Sequence, residues 1–368
     1  MFATALALVI FGLTLIYSGS IPTYGDTANI LGHPIARQVG FGIAGIIVMV
    51  VAARLDYRNW SGWSAPLYAA SVLALLVVLV IGQSAFGSRR WILVAGTPLQ
   101  PSELAKLATI VLLARYLADN EHRIGEARVL LTSLAIAAVP ALLVFVEPDL
   151  GTAVVFMAIW LGMVFLAGVP LRHLALLGAS AVAGIPFAML AALNGYQRER
   201  LAIFIDPGRD PLGSGFNILQ AQIGIGSGGL WGKGLTHGTQ TQLDYLRTQT
   251  TDYVFSVLGE ELGFVGAMLL FSLFTLLLMR GLRAATLAPD TFGRLIATGT
   301  VIMILFQVFI NVGVNLRLFP VTGIPLPFIS QGGSSLLTLF AALGLLQSML
   351  LRRRPPGVPT QPLRLDTR

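Results

Sequence analysis

Long apolar blocks with almost no charge alternate along this chain with short polar connections, the pattern of membrane-spanning helices. A hydrocarbon core of about 30 Å is crossed by about 20 apolar residues of helix. Blocks that meet this are residues 2–18, 38–53, 65–82, 102–118 and 129–146, then 151–168, 173–192, 253–279, 292–314 and 331–351. The expected fold class is an all-α polytopic membrane protein of about ten transmembrane helices. Block 102–118 stands apart because Glu103 and Lys106 lie inside it. The first block lacks a basic leader and a small-x-small cleavage site, so it reads as a retained helix and not a signal peptide.

Two stretches break the pattern. Residues 194–251, between the seventh and eighth blocks, are rich in Gly, Gln, Asp and Arg. Structureless loops of this length are uncommon and tend to be functional. Within it, Leu219 to Ile225 and Leu230 to Leu243 are too short to span and predict an interfacial or re-entrant cap over a cavity. The second stretch, Phe319 to Ser330, holds Pro320, Pro325, Pro327 and Gly323 in apolar surroundings. Those residues rule out a regular helix, so its backbone must pair inside protein or line a wet site.

Composition agrees with the pattern: of 368 residues 55% are hydrophobic and 11% charged, against roughly 25% charged in soluble domains. There is no cysteine, which excludes disulfides and thiolate metal sites. The net charge of +7 does not point to nucleic acid, because the charges lie in the short connections, where they set topology. With the N-terminus inside, the inner loops and tail carry fourteen arginines, and the short outer loops only Arg37, Arg89, Arg90 and Arg317. Both termini are then cytoplasmic and the 194–251 loop lies on the outer face. One membrane domain, residues 1–354, is followed by a proline-rich tail, 355–368, expected to be disordered.

The chemistry available is carboxylates, cations and amides. Asp252 sits at the mouth of the eighth span, after Thr250 and Thr251, which are candidate N-caps. An ionised carboxylate suits a helix N-terminus, so Asp252 reads equally as a helix-start residue or as a functional group. Glu260 and Glu261 lie about two turns deeper, and one of them is expected to pair inside the bundle. Glu103 and Lys106 share a helix face and can neutralise each other, and Lys106 could also meet an anionic substrate group. Glu147 and Asp149 flank Pro148 at a turn or cavity rim. The glycine-rich run Gly224 to Gly234 contains Lys233, but Gly234 follows the lysine and no strand precedes it, so it is not a nucleotide loop. Flexible backbone beside a cation could still approach a pyrophosphate. Arg198, Arg200 and Arg209 are further cations of this loop, equally suited to interfacial anchoring. His33, His122, His173 and His237 are isolated, so no histidine metal site is legible.

Several collinear motifs together resemble those of the SEDS family (shape, elongation, division and sporulation proteins), most closely its RodA branch. They are Gly87-Ser88-Arg89-Arg90-Trp91, Gln100-Pro101-Ser102-Glu103-Leu104-Ala105-Lys106, Pro148-Asp149-Leu150-Gly151-Thr152, Gly238 to Leu243, Thr251-Asp252-Tyr253 with Glu260-Glu261-Leu262-Gly263, and Pro320 to Ser335. The run Leu246 to Thr250, Gln331, Asn315 and Arg317 depart from the family pattern.

The resemblance implies a peptidoglycan glycosyltransferase of the bacterial cytoplasmic membrane. Such an enzyme polymerises lipid II on the outer face, beside a class B penicillin-binding transpeptidase and other elongation-complex membrane proteins. It implies Asp252 as the catalytic general base of an inverting transfer. Glu103, Lys106, Arg198, Arg200 and Lys233 are candidate substrate-binding residues, the cations offsetting the leaving diphosphate. Asp149, Glu260, Glu261 and Ser334 are read as structural or cavity-lining polar groups. A divalent cation, Mg or Mn, is a family-level expectation with Asp252 as candidate ligand, although the residues display no dedicated site. Lipid tails are expected to enter through a lateral opening among the spans. The rival class is a lipid II flippase, which needs a polar path to both faces and often shows repeats. The polar groups here cluster at one face and no repeat is visible, which favours the enzyme. A purely structural scaffold would leave the carboxylate and glycine loop unexplained.

Overall fold

The computed structural model describes residues 1–24, 33–85, 88–94, 97–180, 195–211, 213–246 and 248–352. Gly87, most of the seventh predicted span and the tail from 355 lie outside them. The first half runs α1 (Phe2–Tyr24), α2 (Pro34–Arg54), α3 (Asn59–Ile81), α4 (Pro101–Asp119), α5 (Ala127–Val146) and α6 (Leu150–Leu166). A helical segment at 171–180 follows as α7. Then come α8 (Gly195–Ile205), α9 (Ser214–Gly228), the single turn α10 (Thr239–Gln242), α11 (Val254–Leu287), α12 (Thr291–Asn315) and α13 (Gly333–Leu351). Among the described residues seven helices are long and apolar enough to cross a membrane: α1, α2, α3, α5, α11, α12 and α13. The apolar α6 is shorter, and α4 carries the charges noted above.

Local sequence explains most helix starts. Pro34 and Pro101 open α2 and α4 at positions where the missing N–H costs nothing. Asp149 and Asp290 cap α6 and α12 through bonds from Thr152 N and Gly293 N. The long α11 continues eight residues beyond the predicted block, because Arg280 and Arg283 extend the same helix with their charges turned to the polar region. Between α3 and α4 lies a feature the apolar blocks did not predict, a small antiparallel sheet. It comprises β1 (Gln83–Ala85), β2 (Ser88–Val94) and β3 (Thr97–Leu99), with β2 central.

The bundle is built around α12, of which 78% of the apolar window is buried, against 17% for the peripheral α3. Close approaches depend on small residues, as in other membrane bundles. A Cβ at Gly344 would lie 2.6 Å from the Met49 carbonyl, and one at Gly299 2.7 Å from the Met163 sulfur. The predicted cap exists: α8, α9 and α10 fold over one end of the bundle, and α9 packs along α11. Phe319 to Ser330 is irregular, as its prolines require.

Candidate active site

Asp252 stands two residues before α11, at the end covered by the cap. Its N–H donates to the Thr248 carbonyl at 3.1 Å, and its carbonyl accepts from the side-chain amides of Asn315 (2.9 Å) and Asn311 (3.3 Å). The expected caps are not the threonines. Tyr253 occupies the N-cap position and supplies no side-chain acceptor. The Thr250 hydroxyl donates instead to Gln331 Oε1, and that of Thr251 to the Thr248 carbonyl.

The Asp252 carboxyl is partly enclosed, and its pKa is raised above the usual carboxylate value. Burial is the main cause and the charge of Asp149 adds to it, while Arg200, Arg90 and a bond from Thr251 pull the other way. Arg90, brought in by β2, pairs with Asp149 at 3.5 Å and donates to the Pro148 carbonyl. Asp149 also accepts from the Thr152 hydroxyl. Arg200 on α8 donates to the Val321 carbonyl at 2.9 Å and lines a pocket with Pro148, Gly151, Gln197, Pro320 and Thr322. The charges of Arg200, which lines the pocket, and of Arg90 thus act on the Asp252 carboxyl. Arg198 lies on the exposed side of the same helix.

The other candidates sit apart from this group. Glu103 and Lys106 bond each other at 2.6 Å and are buried, 2% and 1% exposed, between helices. Ser334 accepts from the Gln100 N–H and ties the start of α13 to that of α4. Lys233 is drawn away from the rim: its ammonium donates to Glu260 and Thr239, each at 2.8 Å. Glu260 accepts further bonds from the backbone of Gln240 and Thr241 and from both threonine hydroxyls. Glu261 accepts from the Ser18 hydroxyl, joining α1 to α11. Beside α1, an apolar groove opens sideways between Ile10, Leu13, Tyr17, Ile35 and Leu235.

Arg90, Glu147, Asn311 and Asn315 belong to this site although their sequence signals were weak. Arg90 lay within a quoted motif, and Asn311 and Asn315 form an i, i+4 amide pair near the end of an apolar helix. Among the described residues no three His, Cys, Asp or Glu side chains come together as a metal site.

A helical bundle with a covered polar rim and one carboxylate opposed by arginines defines a polytopic membrane protein with a site at one end. This chain belongs to the SEDS family: the model described as cell cycle protein, covering FtsW, RodA and SpoVE, matches residues 1–354. It is 37% identical over 351 residues to the peptidoglycan glycosyltransferase MrdB of Escherichia coli (strain K12), covering 95% of this chain and 92% of that one. It is 39% identical over 351 residues to the stage V sporulation protein E of Bacillus subtilis (strain 168), covering 93% and 95%. Among solved structures, the rod shape determining protein RodA of Thermus thermophilus superposes with a TM-score of 0.67 at 32% identity, over 95% of this chain and 94% of that one. A chain from a peptidoglycan synthase complex, described as coordinating polymerization and crosslinking, gives 0.77 at 35% identity, over 94% and 96%.

Proposed function

We propose that this chain polymerises lipid II into β-1,4-linked glycan strands for cell elongation and rod shape, with Asp252 as general base. The observation that carries the proposal is the Asp252 carboxyl at the mouth of α11, its proton affinity raised by burial and its charge opposed by Arg200 and Arg90. A general base works best when its pKa approaches the working pH. The relatives named as peptidoglycan glycosyltransferases support the activity.

In this reading the acceptor sugar's 4-hydroxyl passes its proton to Asp252 as its oxygen attacks the donor's anomeric carbon. The bond to the diphosphate breaks, undecaprenyl pyrophosphate leaves with the electron pair, and the anomeric centre inverts from α to β. Arg200, with Arg198 on the same helix, offsets the charge gathering on the diphosphate. Arg90 stays with Asp149 and shapes the wall. The buried Glu103–Lys106 pair fixes α4, and the apolar groove beside α1 suits a polyprenyl tail. The site would face outward, a reading the arginine distribution supports. The partner would be a class B penicillin-binding transpeptidase, a reading supported by the likeness to a chain of a synthase complex.

The test is polymer formation from lipid II by purified protein with its transpeptidase partner. Asp252→Asn should lower the rate by about a hundredfold or more, the usual contribution of a general base. Wild-type polymer from folded Asp252→Asn protein would refute the assignment.

A further inference from the structure

Three consecutive peptides leading into α11 are each held by a donor from elsewhere in the chain. The Thr250 carbonyl accepts from the Gln331 N–H at 2.9 Å, and that of Thr251 from the Ser330 hydroxyl. The Asp252 carbonyl accepts from Asn315 and Asn311. Of these donors only Asn315 also reaches into the helix itself. Its Oδ1 accepts from the Ser256 N–H at 3.1 Å and from the Ser256 hydroxyl at 2.7 Å, and its Nδ2 also donates to the Asn311 carbonyl at 2.8 Å.

One buried primary amide, 1% exposed, therefore has both donor hydrogens and its acceptor engaged. The first turn of a helix leaves N–H groups that need an acceptor. The Tyr253 side chain provides none, and the Ser256 N–H is shared between Asn315 Oδ1 and the Tyr253 carbonyl at 2.9 Å. Asn315 adds a side-chain acceptor from the end of the neighbouring α12.

We propose that Asn315 is a positioning residue: by holding the Asp252 carbonyl and capping α11 in trans, it fixes the direction in which the Asp252 side chain leaves the backbone. The inference rests on the reading of Asp252 as the base. Its weight comes from geometry, since displacing a reacting group by about 1 Å can cost about a hundredfold in rate.

Two substitutions separate this role from simple stabilisation. Asn315→Val removes the donors and the acceptor. Asn315→Asp keeps an acceptor for Ser256 and loses the donors to Asp252, and it decides the matter if the valine variant does not fold. For the folded variants, kcat should fall about tenfold or more while KM for lipid II stays within about twofold. In Asn315→Val the acid limb of kcat/KM should also move to lower pH, because a loosened Asp252 is less buried; the other groups acting on it are Arg200, Arg90, Asp149, Thr251 and Tyr253. In Asn315→Asp the added carboxylate opposes that shift, so kcat and KM are read there. Wild-type kcat in folded Asn315→Asp, whatever its Tm, would overturn the inference. Asp252→Asn, assayed alongside, separates the two failures. If it polymerises normally, the general-base reading falls and this one with it. If it is inactive while both Asn315 variants turn over normally, positioning alone is wrong.

Discussion

Glu147, just after α5, is 3% exposed and its Oε1 has no hydrogen-bond partner among the described residues. Burial, and then the charge of Asp149, push its pKa up to about 8 against the opposing pull of Arg90. A neutral carboxyl is much cheaper to bury than a carboxylate. Between the unfolded value of 4.5 and about 8, the folded protein holds a proton that the unfolded chain has released. The contribution to stability is full below that window, declines as pH rises through it, and falls no further above. Thermal unfolding of detergent-solubilised protein should therefore show Tm dropping from about pH 4.5 to about pH 8, with a shallower slope in Glu147→Gln. Equal slopes would show that Glu147 is not held neutral. At this scale Asp252 and the Glu103–Lys106 pair were legible because charges are rare in apolar surroundings. Asn315 was not, since an amide near a helix end looks like an interfacial residue until its partners, 59 and 63 positions away, are in place.

The break in α11 organises the cap. Gly263 adopts φ 62° and ψ −157°, a conformation open essentially to glycine alone. A Cβ there would lie 2.4 Å from the Gly232 nitrogen. The break releases the carbonyls of Glu260 and Glu261, which accept from Lys233 N and Gly234 N, and the N–H groups of Phe264 and Val265, which donate to Gly229 and Leu230. Backbone freed within a membrane helix has to be paired by protein, so the glycine loop and the helix must fold as one unit. That use takes the loop's N–H groups at 233 and 234 away from the pyrophosphate contact the sequence suggested. It likewise commits the Lys233 ammonium to Glu260. The kink was invisible in the sequence because residues 253–279 contain no proline, and Gly263 is one of three glycines there, a residue common in membrane helices. Gly263→Ala should lower stability by about 2 kcal/mol or more, the scale of a strained backbone, and expose residues 229–234 to protease. An unchanged Tm and digestion pattern would show that the kink does not anchor the cap.

Across the whole molecule, the question is whether the polar site has a floor. The apolar blocks anticipated the described spanning helices and the irregular 319–330 segment, because hydrophobic length is a direct requirement of the bilayer. They said nothing of the β-sheet, whose strands are three to seven residues long, nor of what fills the bundle. Beyond Lys106 along α4 the filling is largely apolar, Thr109 apart: Ile110, Leu113 and Leu117 meet the core that includes Met163, Ile296, Leu343 and Leu346, all at most 1% exposed. The far end is latched. Tyr57 and Arg58 both reach Asp290, and Arg352 pairs with Asp56 while binding the carbonyls of Ala53 and Arg54. Charged groups are therefore gathered at the Asp252 end and again at the opposite turns. The layer between them is mostly apolar, its buried polar side chains being neutral hydroxyls and an amide such as Thr109, Thr300, Gln307 and Thr338. A flippase would have to part that layer around a charged headgroup, against the desolvation cost of every phosphate and sugar hydroxyl. A polymerase needs no such opening, because both of its substrates reach one rim. Labelled lipid II in proteoliposomes should then cross no faster than in protein-free vesicles, while glycan accumulates on the side bearing Asp252. Accelerated crossing that persists in Asp252→Asn would mean that the core opens, and would restore the transporter reading.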